Sequence, residues 1–314
     1  MSKSTVAEKQ PIIHKQHLVS KTVLKRFASA DDKKITVHYL DRCRIKSVKP
    51  ENEAYVRDYI KIDSNESEAR WQVIENKAPI IHEALSNGSL KLEEWDEACI
   101  PTILELISLH IVRSHSTLSL WKRDLESSPW VKAKEAWRAD GELMRAYMRE
   151  SNRSYIPISE RMLLIADFAR GLQSNLQPGE EGFRDFIHKM QEKIETYLKD
   201  MTIEVGRAPD GKEFLIGDTP AVLRDSSSGK QGVLEGVGVT GANELFFPLD
   251  RRHVIGVLSP NKRQPSIIQL TPQQVDRINL LQLKNAERKV FYHPQSNLTE
   301  WVHSVVDHAL VAMV

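Results

Sequence analysis

His253-Val-Ile-Gly-Val-Leu258 is the longest of four short apolar runs between residues 202 and 258. The other three are Thr202-Ile-Glu-Val-Gly206, Phe214-Leu-Ile216 and Glu244-Leu-Phe-Phe247. Short runs rich in β-branched and aromatic residues, bounded by turn residues, are typical of strands. Pro209-Asp-Gly211 lies between the runs at 202 and 214 and predicts a hairpin turn. The strands are therefore predicted mainly in this stretch.

Outside this stretch the sequence predicts one further strand and several helices. Ile35-Thr-Val-His-Tyr-Leu40 is β-branched and aromatic, which predicts a strand. Thr271-Pro-Gln-Gln274 has a cap residue, then Pro at the first helical position and Gln at the third, a variant of the capping box. Pro101 is expected to kink or restart a long helix. Helical patterns cover residues 63–86, 92–121, 127–155, 160–173, 181–199, 271–288 and 298–313.

The order of helices, then strands, then helices favours an α+β fold over a doubly wound sheet. We predict a helix-rich N-terminal two-thirds packed on a small, mainly antiparallel sheet, with C-terminal helices. Residues 1–10 are predicted to be a flexible tail, and residues 11–314 a single α+β domain. That domain divides at most into a helical lobe, 11–200, and a lobe of sheet plus helices, 201–314.

Charge and composition narrow the class of protein. The 314 residues include 44 Lys and Arg and 43 Asp and Glu, a net charge of +1. A dedicated duplex-DNA binder usually carries a basic excess, so the overall charge does not indicate one. The apolar stretches are far shorter than the roughly 18 residues that cross a bilayer, so no membrane partner is expected. With two cysteines and a polar N-terminus, a cytoplasmic location is expected.

The glycine motif at residues 236–241 does not predict a cofactor site. Gly236-Val-Gly238-Val-Thr-Gly241 matches the dinucleotide pattern G-x-G-x-x-G. That pattern requires a helix after it, so that the pyrophosphate meets the helix N-terminus. The run beginning at Glu244 follows instead and indicates a strand. We therefore interpret the motif as a loop and expect no dinucleotide.

Five segments, in order across residues 14–292, together resemble the bacterial family of domain of unknown function 4238 (DUF4238). In the first, Ser20 stands where proline is usual, and in the fourth, Gly217 replaces a usual serine. The segments are Lys15-Gln-His17-Leu-Val-Ser-Lys-Thr-Val-Leu24-Lys-Arg-Phe27, Val73-Ile-Glu75-Asn-Lys-Ala78-Pro79, Ile111-Val-Arg113, Phe214-Leu-Ile-Gly-Asp218-Thr-Pro220-Ala-Val222, and Phe247-Pro248-Leu with Asn279-x-x-Gln282-x-x-x-Ala286-Glu.

The resemblance supplies candidate site residues but no established reaction. The catalytic candidates are His17, Glu75, Arg113 and Asp218, and the binding candidates are Asn279, Gln282 and Thr219. In a hydrolase, Asp218 and Glu75 would hold a divalent ion, if one is used, and His17 would be a base. Arg113 would stabilise anionic charge.

Each candidate also has a structural alternative. His17 would cap a local backbone group, and Glu75 would form a structural ion pair with Arg113. Asp218 would cap its own backbone in an Asx-turn. Asn279 and Gln282, three residues apart on the 271–288 helix, would make a polar helix–helix contact or contact the loop of Asp218.

Two functions follow from these alternatives. The first is a metal-assisted hydrolase acting on nucleic acid or nucleotide, with bacterial stress or phage defence as its associated setting. The second is a non-catalytic binding or regulatory module whose polar residues form a structural network. The sequence leaves open the choice between them, the metal, the substrate and the oligomeric state.

Overall fold

The computed structural model describes residues 13–41, 44–61, 64–86, 99–127, 180–258 and 266–311. The chain divides into two compact units, Met1–Thr117 with Ile187–Val314, and Leu118–Phe186. The helices of the described residues are α1 (Lys21–Leu24), α2 (Ser64–Ser86), α3 (Cys99–Val112), α4 (His115–Ser127), α5 (Glu180–Leu198), α6 (Pro272–Asn285) and α7 (Leu298–Val311).

The strands of the described residues form three sheets. The strands are β1 (Lys15–His17), β2 (Ile35–Tyr39), β3 (Arg44–Val48), β4 (Tyr55–Arg57), β5 (Thr202–Arg207), β6 (Ile216–Gly217), β7 (Val222–Arg224), β8 (Glu244–Pro248), β9 (His253–Leu258), β10 (Ser266–Gln269) and β11 (Lys289–Tyr292). The five-stranded sheet has the order β10-β5-β9-β8-β7, and the four-stranded sheet the order β3-β2-β11-β6. Strands β1 and β4 pair separately. Among the strand pairings within the described residues, only that of β10 with β5 is parallel.

The α+β class is confirmed, and four predicted strands are present at β2, β5, β8 and β9. A single small sheet was the wrong expectation, because β2 pairs with β11 rather than joining the sheet of β5. The predicted hairpin around residues 209–211 is also wrong. Lys212 N–H donates to the Pro209 carbonyl at 3.1 Å, so the turn exists. However, the strands on either side of that turn lie in different sheets.

The ends of the helices differ from the predicted ones where local hydrogen bonds or a turn end the helix. The long helix predicted over residues 92–121 is broken after Val112, and Ser114 Oγ accepts from Thr117 N–H at 3.1 Å to cap α4. Thr271 and Gln274 form the predicted capping box at the start of α6. That helix ends at Asn285 instead of 288, because the chain turns there to form β11.

Several predictions concern residues outside the described ranges. These are the flexible tail at 1–10, most of the helix at 127–155 and the helix at 160–173. The single-domain interpretation with its two lobes stays a prediction. Within the described ranges, no helix combines the length and apolarity that crossing a membrane requires.

Candidate functional site

A buried ion pair joins two segments that are distant in sequence. Arg113 lies at the break between α3 and α4 and is 1% exposed. Its Nη2 donates to Oε1 of Glu75, on α2, at 2.5 Å. Its guanidinium also stacks over the Trp71 ring, 5.1 Å from the centroid. Burial alone would raise the pKa of Glu75, but the charge and hydrogen bond of Arg113 outweigh it and the pKa is lowered.

His17, at the end of β1, lies within electrostatic range of this pair. Its Nε2 is 3.4 Å from the carbonyl oxygen of Glu51. Burial, followed by the positive charge of Lys21, lowers the pKa of His17 to about 4, and Arg113 lowers it further. The imidazole is therefore neutral at pH 7 and can accept a proton.

His110 anchors the segment that follows His17. Its Nδ1–H donates to the Leu106 carbonyl at 2.7 Å, so Nε2 accepts from Ser20 N–H at 3.0 Å. Burial, followed by the Arg113 charge, lowers the pKa of His110 to about 3. Both ring nitrogens of the neutral form are used, which makes His110 a structural support.

Two further side chains on α2, Glu68 and Trp71, complete the site. Within the described residues, Oε1 of Glu68, Nε1 of Trp71 and Nε of Arg113 are buried and have no hydrogen-bond partner. Burial raises the pKa of Glu68, partly opposed by Arg113, whereas that of Glu75 is lowered. We call His17, Glu68, Trp71, Glu75, His110 and Arg113 the histidine–arginine cluster.

Sequence reasoning missed Glu68, Trp71 and His110. A signal was present for the first two, because positions 68, 71 and 75 are spaced by three and four and therefore share one face of a helix. His110 carried no comparable signal, since its partners are the Leu106 carbonyl and the Ser20 N–H.

Asp218 lies in different surroundings. Its Oδ1 accepts from Glu287 N–H at 2.8 Å and its Oδ2 from Arg288 N–H at 3.0 Å. Its own N–H donates to the Lys289 carbonyl at 3.0 Å. Burial raises the pKa of Asp218 to about 6, although the two backbone hydrogen bonds oppose the shift. These contacts favour a structural cap at the start of β11 over a part in the histidine–arginine cluster.

Asp218→Asn is therefore expected to lower the free energy of unfolding by about 1–3 kcal/mol, because the amide offers one acceptor to two backbone N–H groups. The measurement is urea denaturation at pH 7. Leu104→Ala, at a position that is 5% exposed, is the reference, with an expected loss of about 2–5 kcal/mol. An Asn variant as stable as the wild type would contradict the structural cap and favour a functional carboxylate.

The predicted binding residues on α6 hold the chain around Asp218. Asn279 Oδ1 accepts from Leu215 N–H at 3.0 Å, and Gln282 Oε1 accepts from Gly217 N–H at 3.1 Å. Nε2 of Gln282 donates to the Pro220 carbonyl at 2.7 Å. Both amides thus supply backbone partners that a neighbouring strand would otherwise provide. Thr219 is 6% exposed, and its Oγ1 has no hydrogen-bond partner in the described residues.

The structure therefore pairs Glu75 with Arg113 and places His17 within range of their charges. It places Asp218, Thr219, Asn279 and Gln282 around the turn that links β6 to β7. Across the described ranges, no group of three or more His, Cys, Asp or Glu side chains could hold a metal ion. The pairing of Asp218 with Glu75 as metal ligands stays a prediction that no contact supports.

The fold and the cluster define an α+β protein with a buried histidine, carboxylate and arginine site. The chain belongs to the family described as Protein of unknown function (DUF4238), whose model matches residues 15–296 of the 314. This confirms the family resemblance. No protein among the curated ones, and no solved structure, matches the chain.

Proposed function

We propose that the protein is a hydrolase of a nucleotide or nucleic-acid phosphoester and that its reaction centre is the histidine–arginine cluster. The supporting observation is the convergence of a neutral His17, a buried Arg113 and two carboxylates with opposite pKa shifts. Paired groups whose environments separate their pKa values are typical of acid–base catalysis. Stress or phage defence remains the predicted setting.

The roles follow from the charge states. His17 takes a proton from water at Nδ1, since its Nε2–H faces the Glu51 carbonyl, as the water oxygen forms a bond to phosphorus. The raised pKa of Glu68 suits it to give a proton to the leaving oxygen as the old P–O bond breaks. Arg113, kept in place by ionised Glu75, stabilises negative charge on the phosphoryl oxygens. No metal step is included, because Asp218 is held by the backbone of residues 287 and 288.

A structural network is the second candidate, and a specific observation favours it. The Glu75–Arg113 pair is short, and both nitrogens of His110 are hydrogen-bonded. In this case the cluster joins β1, α2 and α3, and the protein is a non-catalytic binding or regulatory module.

The test measures hydrolysis of bis(p-nitrophenyl) phosphate, mononucleotides and short single-stranded oligonucleotides. His17→Gln and Glu68→Gln are each expected to lower turnover by about 100-fold or more while the thermal midpoint stays near that of the wild type. His14→Ala is the matched control, because the His14 side chain is 67% exposed and contacts Asp58. No turnover by the wild type, or an unchanged rate in His17→Gln, would reject the hydrolase. Loss of folding in both variants would favour the network.

A further inference from the structure

A cleft of about 550 Å³ lies beside the histidine–arginine cluster and is not part of it. Its lining includes Thr22, Lys25, Arg26, Lys33, Glu51 and His82. We name it the basic cleft, because three cationic side chains face one carboxylate. The whole chain carries a net charge of only +1, so this local excess does not follow from composition.

The cationic side chains are accessible to a ligand. Lys25 is 57% exposed at its side chain and lies 3.4 Å from Glu51, an ion pair that water screens strongly. Arg26 and Lys33 are also exposed. Lys33 has a φ of 56°, in the left-handed region that non-glycine residues seldom adopt. Ser29 N–H donates to the Lys34 carbonyl at 2.9 Å and closes the turn that holds Lys33 in this conformation.

Two contacts connect the basic cleft to the histidine–arginine cluster. Glu51 lines the cleft, and its carbonyl oxygen is the atom that His17 Nε2 approaches at 3.4 Å. Thr22 also lines the cleft, and its Oγ1 is 2.8 Å from Oγ of Ser20, whose N–H binds His110. A ligand in the cleft would therefore lie one residue away from His17, to which we give the role of base.

We propose that the basic cleft binds the phosphate of a mononucleotide-sized ester. Its volume is in the range of small-molecule sites, and clustered Arg and Lys side chains recognise phosphate oxygens by charge and hydrogen bonding. This inference names the substrate class of the proposed hydrolase. It rests on the proposed function only in the claim that the bound ester is then hydrolysed. Binding itself depends on Lys25, Arg26 and Lys33.

The experiment is isothermal titration calorimetry of the full-length protein with AMP, ATP, adenosine, inorganic phosphate and a ten-nucleotide single strand. We expect AMP or ATP to bind and adenosine not to bind. Arg26→Glu combined with Lys33→Glu should weaken nucleotide binding at least tenfold. Lys122→Glu with Lys193→Glu, which makes the same charge change at exposed helix positions, should change it less than twofold.

The outcomes separate this inference from the proposed hydrolase. Titration of His17→Gln measures binding without the proposed base and should give the wild-type affinity. Nucleotide binding by the wild type without any turnover rejects the hydrolase and retains the cleft. Equal affinities of the two double variants would overturn the cleft as the site. Tighter binding of the oligonucleotide than of ATP would overturn the mononucleotide as the ligand. If no phosphate compound binds with a Kd below about 1 mM, both the cleft as a phosphate site and the mononucleotide as its ligand are overturned.

Discussion

Arg113→Met is expected to lower the free energy of unfolding by about 3–5 kcal/mol, because it leaves the Glu75 carboxylate in a largely buried position without its cation. The side chain of Glu75 is 17% exposed, and Glu68 on the same helix adds a second carboxylate to the surroundings. The substitution also removes the cation above Trp71. The measurement is the urea midpoint and slope at pH 7.5.

Two further variants show whether the loss comes from the ion pair. Arg113→Met combined with Glu75→Leu should recover most of the stability, since replacing both members of a buried pair with apolar residues is often neutral. Arg277→Met removes an arginine whose side chain is 50% exposed and should cost less than about 1 kcal/mol. A loss at Arg113 no larger than that at Arg277 would contradict a buried, energetically important pair.

Lowering the pH from 7.5 to 5 is expected to reduce stability by about 2 kcal/mol for each of three buried histidines, His17, His82 and His110. Burial lowers the pKa of the first two to about 4 and of the third to about 3. A folded-state pKa below the unfolded value of about 6.5 gives stability that is present above pH 6.5 and lost as the pH falls towards 4.

Asp218 acts in the opposite sense. Its pKa is raised to about 6, so its contribution is present below about pH 4 and is lost as the pH rises through 6. This offsets part of the histidine effect between pH 7.5 and 5. Glu68 and Glu287, whose pKa values burial also raises, act in the same sense as Asp218. The predicted net result is still a loss of stability in acid, because the shifts of the three histidines are the larger ones.

The substitution His110→Gln measures the contribution of one histidine to the loss of stability in acid. The Gln amide oxygen can still accept from Ser20 N–H, and the side chain does not titrate. We expect the variant to be less stable at pH 7.5 but to lose about 2 kcal/mol less than the wild type between pH 7.5 and 5. The measurement is a urea titration of both proteins at each pH. Parallel losses in the two proteins would show that His110 does not contribute to the acid sensitivity.

The strands and helices with strong local patterns were predictable from sequence. Strands β5 and β9 were predictable because each is six residues long and rich in β-branched residues. The start of α6 was predictable because a capping box is complete within four residues. The short strands β1, β4 and β7 have three residues each, which is too few for a periodic signal.

The partners of each strand were not predictable, because pairing depends on residues far apart in the chain. Strand β11 was not predicted from the sequence, and it lies between β2 and β6. Asp218 supports this arrangement by binding the backbone just before β11, and Gln282 supports it from α6. A local pattern carries no information about such contacts across sixty or more residues.

For this protein the sequence by itself determined the α+β class, the family and the residue types of the candidate site, because these depend on local spacing and on segments read in order. The tertiary structure decided which candidates meet. It paired Glu75 with Arg113, placed His17 within range of their charges, and engaged Asp218 with residues 287–289. The physical reason is that a buried charge is stable only beside its partner, and the partner's position is fixed by the packing of the whole chain.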